Sequence, residues 1–201
     1  MPTPLHRSKS PVGSILLATL IAGTLDASAA MINFKINAPD VNSLRVWRFV
    51  AGGAFGEEAR SGSLFPWALY GILFHFLIAF LFTLFFYLIY PRFRVMHKNL
   101  IVTGILYGAF VWIVMNLIVV PLSNVRDQGK LWTIVKTNGG SHLVFQPPTN
   151  IKQFIINILF ILFCVGLPIA LIIGNYFKKQ VRTTTAWSAN SKWFIFVKIK
   201  S

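Results

Sequence analysis

Apolar residues in this chain fall into four long runs, separated by short polar or basic stretches. The first run extends from Val12 to about Asn33, the second from Leu64 to Tyr90, the third from Leu100 to about Leu122 and the fourth from Ile151 to Phe177. Each is about as long as the roughly 20 residues a helix needs to cross a bilayer. The pattern predicts an all-α, polytopic membrane protein: a four-helix transmembrane bundle in which each span gives way to charge, Pro or Gly. Pro91 and the basic residues Arg92, Arg94 and Lys98 close the second run, and Pro121 closes the third. Pro168 lies inside the fourth and predicts a kink near Cys164, where neighbours must satisfy the freed carbonyl.

The first run has a rival reading. A basic start, an apolar stretch to Leu25 and the small residues Ala27-Ser28-Ala29 also match a signal peptide with an A-x-A cleavage site. The apolar and small-residue pattern continues through Ala30, Met31 and Ile32, however, and the run is read as a retained span.

Ala38 to Gly62 is broken by Arg45, Arg48, Glu57, Glu58 and Arg60 and cannot cross. Within it Leu44, Trp47, Ala51 and Phe55 share one helical face, with Arg45 and Arg48 off that face. This predicts a short helix between spans 1 and 2. One setting for it is the membrane surface, with Trp47 at headgroup depth and the two arginines beside it as an interfacial anchor. The other is an ordinary surface loop helix. Ser123 to Asn150 reads as a polar loop around Gly139-Gly140 and Pro147-Pro148. The last residues, Trp193 to Lys200, are too few to span.

Composition agrees with this layout. The 201 residues are 55% hydrophobic and only 12% charged, too apolar for a soluble domain of this size. The net charge of +14 does not read as nucleic-acid binding. No recognition module is visible, and the basic residues cluster beside the spans, where they set orientation and attract anionic lipid headgroups. The N-terminus, the loop after span 2 and the C-terminal tail carry 11 of the 19 Lys and Arg and no acid. The positive-inside rule therefore predicts both termini in the cytoplasm, with basic segments at residues 1–11 and 178–201. A single cysteine, Cys164, excludes an internal disulfide, and its apolar surroundings read as packing.

Asp26 is the one carboxylate in any apolar run, and a lone acid there costs several kcal/mol unless it is protonated, paired or wetted. Asp26 and His75 each lie two or three residues from the middle of their spans, about 3–4 Å towards the outer face at 1.5 Å per residue. Asn116 and Asn157 lie about 10 Å to the same side. Ala18, Ala22, Asp26 and Ala30 repeat every four residues, as do Gly71, His75 and Ala79, and Gly104, Gly108, Trp112 and Asn116. Small residues at this period let helices approach and surround polar side chains with protein. Asp26, His75, Asn116 and Asn157 thus form a candidate pocket for a proton or a small polar ligand; the bland reading is interhelical hydrogen bonding. One His and one Asp make a poor metal site, and no cofactor motif is present.

Gly23-Thr24-Leu25-Asp26, His75-Phe76-Leu77-Ile78-Ala79, Tyr107-Gly108, Met115-Asn116 and Pro121-Leu122-Ser123 together resemble a group of uncharacterised bacterial four-span inner-membrane proteins, loosely the YagU-like membrane proteins. The likeness covers about Gly13 to Tyr176. It implies a bacterial inner-membrane location and a four-span fold, and it brings no activity and no catalytic residue. Three functions compete on this sequence. The first is a non-enzymatic protein that binds or passes a proton or polar solute, with a homo-oligomer needed to complete a pathway. The second is a structural or assembly subunit working through the Trp47 helix and the 123–150 loop with a membrane-protein partner. The third is a membrane enzyme acting on lipid or quinone, with Asp26 and His75 as acid and base.

Overall fold

A computed structural model describes residues 10–125, 130–137, 140–148 and 150–181. The basic N-terminus with His6, Arg7 and Lys9, the loop residues Arg126 and Asp127, and the tail from Arg182 onward lie outside the described residues. Four helices are long and apolar enough to cross a membrane, which is the layout of a multi-pass membrane protein. They are α1 (Pro11–Asn37), α4 (Leu64–Ile89, running on in a tighter turn to Arg92), α5 (Leu100–Leu122) and α6 (Ile151–Val181). Two short helices, α2 (Leu44–Phe55) and α3 (Glu57–Ser61), lie between α1 and α4.

Local chemistry sets the helix starts. Ser10 caps α1 by accepting the Gly13 N–H at 3.0 Å, with Pro11 in the first turn, where its missing donor costs nothing. Asn99 caps α5 and Asn150 caps α6 in the same way. α1 and α6 each extend about four residues beyond the apolar runs, to Asn37 and Val181.

The interior is built from small residues and the outside from large ones. On α1 the buried positions are Ser14, Ile15, Ala18, Thr19, Ala22 and Gly23, a stripe with a four-residue repeat. On α4 Leu73, Leu77, Leu81 and Phe85 project outward. Lipid tails are as apolar as leucine, so bringing helices together gains nothing from hiding leucine; close backbone contact and interhelical hydrogen bonds are what hold the bundle. α1 packs on α4 and α6, and α5 packs on α6. At the α5–α6 contact, a Cβ added to Gly108 would stand 2.6 Å from the Cα of Leu162, and one added to Gly104 would stand 2.8 Å from the Cα of Leu167. Tyr107 Oη donates across to the carbonyl of Phe82 at 2.5 Å, tying α5 to α4. All four spans meet in one core that includes Ala18, Phe86, Tyr90, Tyr107 and Ile169.

Both interior prolines are preceded by π-helical backbone, at Met115–Val119 before Pro121 and at Ile161–Gly166 before Pro168. Val120 N–H reaches back five residues to the Met115 carbonyl, and Leu167 N–H to that of Leu162. The wider turn absorbs the proline ring, which would clash with the carbonyl four residues earlier. This is the form the expected distortion near Cys164 takes.

The stretch expected as a polar loop contains an antiparallel hairpin, a correction to that reading. β1 (Trp132–Thr137) pairs with β2 (Gly140–Phe145) in the register Trp132 with Phe145, Thr133 with Val144 and Thr137 with Gly140. Asn138-Gly139 lies between the strands in the sequence, and Asn-Gly is the strongest short signal for a two-residue hairpin connection. A two-stranded ribbon is marginal alone, and this one is tied down by Trp132.

Candidate functional site: the Asp26–His75 pair and the arginine cavity

Asp26 and His75 meet between α1 and α4. His75 projects from α4 on the face that also carries Gly71 and Ala79, both buried. Gly23 and Asp26, three residues apart on α1, face it from the same side. His75 Nε2 lies 2.9 Å from the carbonyl oxygen of Gly23, and Nδ1 lies 4.0 Å from Oδ2 of Asp26. The His75 side chain is 15% exposed and that of Asp26 29%. Gly23 lets the helices come this close, because a Cβ there would sit 2.7 Å from the ring of Phe76.

The two ring nitrogens have different partners, and this fixes the protonation logic. A carbonyl only accepts, so Nε2 must carry a proton. Two protonation states then leave the pair without net charge: an Nδ1 lone pair opposite a protonated acid, and Nδ1–H⁺ opposite a carboxylate. The two states differ in the place of one proton across the 4.0 Å gap. The pair is neutral overall in both, which is what makes an acid tolerable at this depth.

The rest of the wall is aromatic and apolar. Trp47 meets the imidazole edge-on at 5.3 Å between ring centres, and Phe76 does so at 5.4 Å. Cys164 lies on the π-helical stretch of α6 that packs on α1. Ser28 Oγ donates to its own helix, on the Thr24 carbonyl at 2.7 Å.

Asn116 and Asn157 have other partners. Asn116 Nδ2 donates to the Trp112 carbonyl of its own helix at 3.0 Å. Asn157 Oδ1 accepts from Gln153 Nε2 at 3.2 Å, while Gln153 Oε1 accepts from Asn37 Nδ2 at 3.3 Å, a polar ladder joining the end of α1 to the start of α6. Among the described residues neither asparagine shares a hydrogen bond with Asp26 or His75.

The α2 helix lies lengthwise along the first half of α4. Phe55 contacts Trp67, Tyr70 and Phe74, and Trp47 reaches His75, so the two helices run antiparallel. Trp47 is 4% exposed, its ring packed against protein. Its carbonyl lies directly on Gly71, seven residues or about 10 Å into α4, where a Cβ could not fit. The aromatic face read from the sequence finds aromatic partners on α4, and Gly71 lets the backbones touch.

Arg45 and Arg48 lie off that face. Together with Phe49, Gly52, Arg60 and Val125 they line a cavity of about 250 Å³. Gly56, at φ 65°, turns the chain from α2 into α3 in a conformation that only glycine adopts without strain. The reversal folds Arg60 back over Gly52, where it is held by Glu57 (Nε to Oε2, 2.8 Å) and by the Asn124 carbonyl (Nη1, 2.7 Å). Arg48 Nη1 donates to the Gly62 carbonyl at 3.4 Å. Sequence reasoning placed Arg45 and Arg48 together and missed Arg60. The signal was Gly56-Glu57-Glu58, a turn followed by an acid one helical turn before Arg60. A larger, almost wholly apolar groove of about 730 Å³ separates α4 from α5 beside Phe85, Met96 and Phe110, with Lys98 as its one charged lining residue. Compared with known protein families, curated proteins and solved structures, the chain matches none of them.

Proposed function

We propose that this chain is a bacterial inner-membrane protein, with both termini in the cytoplasm, that binds or passes a proton or small polar solute through the Asp26–His75 pair. The observation that supports this is the two-sided bracket on His75: Gly23 carbonyl on Nε2 and Asp26 on Nδ1. A structural bond needs only one of these. The second sets an acid and a base face to face inside a span, the arrangement a proton relay uses. With four spans, two or more copies complete a pathway. The test is proton flux into proteoliposomes followed with an internal pH dye. Asp26→Asn removes the flux while the protein still inserts and folds; flux equal to wild type in that variant would sink the reading.

A second reading, an assembly subunit of a membrane complex, draws on the hairpin. Leu143 and Phe145 are 68% and 63% exposed on a ribbon with two open edges. It predicts a co-purifying membrane partner after gentle extraction, lost when Leu143 and Phe145 are changed to Ser. A partner-free, monodisperse protein from the native host would remove it.

A further inference from the structure

We infer that the cavity framed by Arg45, Arg48 and Arg60 is a binding site for a phosphate-bearing anion. Arg45 and Arg48 are three apart on α2, so their side chains leave the helix on one side. Arg60 enters from α3, carried there by the Gly56 turn. Three arginine side chains thus line one concave space, and the carboxylate shown paired with them is Glu57, on Arg60. Like charges around one cavity repel, and an anion between them relieves that repulsion.

The frame is preorganised. Arg60 is fixed at two of its nitrogens, by Glu57 and the Asn124 carbonyl, and Arg48 leans on the Gly62 carbonyl. Arg45 has no carboxylate partner among the described residues and keeps its full set of donors for an occupant. A tetrahedral phosphate offers oxygens to three forks from three directions, whereas a carboxylate offers two in one plane. The volume of about 250 Å³ lies just under the roughly 300–1,000 Å³ of drug-sized sites, which suits a headgroup or a free phosphate rather than a nucleotide. Phe49 and Val125 add an apolar wall. The phosphate could belong to a glycerophospholipid or to a soluble ion; the chemistry is shared and the source is a matter for experiment. The inference is independent of the proton reading, because none of these side chains belongs to the Asp26–His75 pair.

The experiment uses the full-length protein. Its thermal unfolding in detergent is followed with inorganic phosphate against chloride at equal ionic strength, and native mass spectrometry counts phosphatidylglycerol retained after extraction from nanodiscs. Arg45→Gln is the principal variant, since among the described residues the Arg45 side chain makes no hydrogen bond or ion pair. Loss of one charged donor set predicts an affinity about tenfold weaker, with R45Q/R48Q abolishing binding. The R92Q/R94Q pair, at the other end of α4, leaves it unchanged. Stabilisation by inorganic phosphate identifies a soluble ligand. One retained phosphatidylglycerol without a phosphate effect identifies a lipid. Binding of neither probe, binding unaltered in R45Q, or binding lost only in R92Q/R94Q overturns the site.

Discussion

The indole of Trp132 donates to the carbonyl of Leu117 at 2.9 Å, and Leu117 stands four residues before Pro121. Pro121 has no N–H to give that carbonyl, so an α5 oxygen without its normal helical donor is taken up by the first residue of the hairpin. One bond therefore serves both a broken helix and a ribbon too small to stand alone. Trp132→Phe keeps the ring and removes the donor. It is expected to cost about 1 kcal/mol in reversible detergent unfolding and to speed proteolysis between Trp132 and Phe145. Unchanged proteolysis would mean the hairpin is held by something else.

Gly108 and Gly53 offer a matched pair of substitutions. Gly108→Ala drives a methyl into the backbone of α6 at 2.6 Å and is expected to destabilise by about 1–3 kcal/mol. Gly53→Ala meets nothing closer than 3.5 Å and gains helix propensity of up to about 1 kcal/mol. Unfolding midpoints should move in opposite directions; movement in the same direction would contradict the close α5–α6 contact.

For Asp26 and His75 a double-mutant cycle separates the cost of a lone acid from the value of the pair. His75→Leu strands Asp26 and is expected to cost about 2–3 kcal/mol. Adding Asp26→Leu should recover much of that loss, giving a negative interaction energy. Strict additivity would show that the two side chains do not interact.

Proximity is checked directly by replacing both residues with cysteine in a Cys164→Ala background and applying a short bifunctional crosslinker. Side chains that approach to 4.0 Å across the α1–α4 contact should crosslink in high yield. An inserted, folded protein that gives no crosslink would require a different helix arrangement.

Much of the architecture could be read from the sequence because bilayer thickness and proline are strong constraints. Pro91 and Pro121 mark span ends in the chain itself, and the short helix between spans 1 and 2 showed in the spacing of Leu44, Trp47, Ala51 and Phe55. Depth, too, follows from counting residues, which is why Asp26 and His75 were singled out together. Azimuth does not follow from counting. Asn116 and Asn157 lie towards the same leaflet by the same arithmetic, yet Asn116 turns to its own helix and Asn157 joins the Gln153–Asn37 ladder. Helix order around the bundle decides which polar residues meet, and no local pattern encodes it. Arg60 was hidden for a related reason, since its partnership with Arg45 and Arg48 exists only after Gly56 reverses the chain. The hairpin lost out to its own flanks, because Gly139-Gly140 and Pro147-Pro148 outweighed the short alternating strands.

Trp47 and Arg48 are consecutive residues on α2, one pressed against the imidazole of His75 and the other lining the arginine cavity. A twelve-residue helix is stiff, and its backbone rests on Gly71 with no space between. One short, rigid backbone therefore walls both sites, and a single peptide bond separates the residue that meets the imidazole from the residue that lines the cavity.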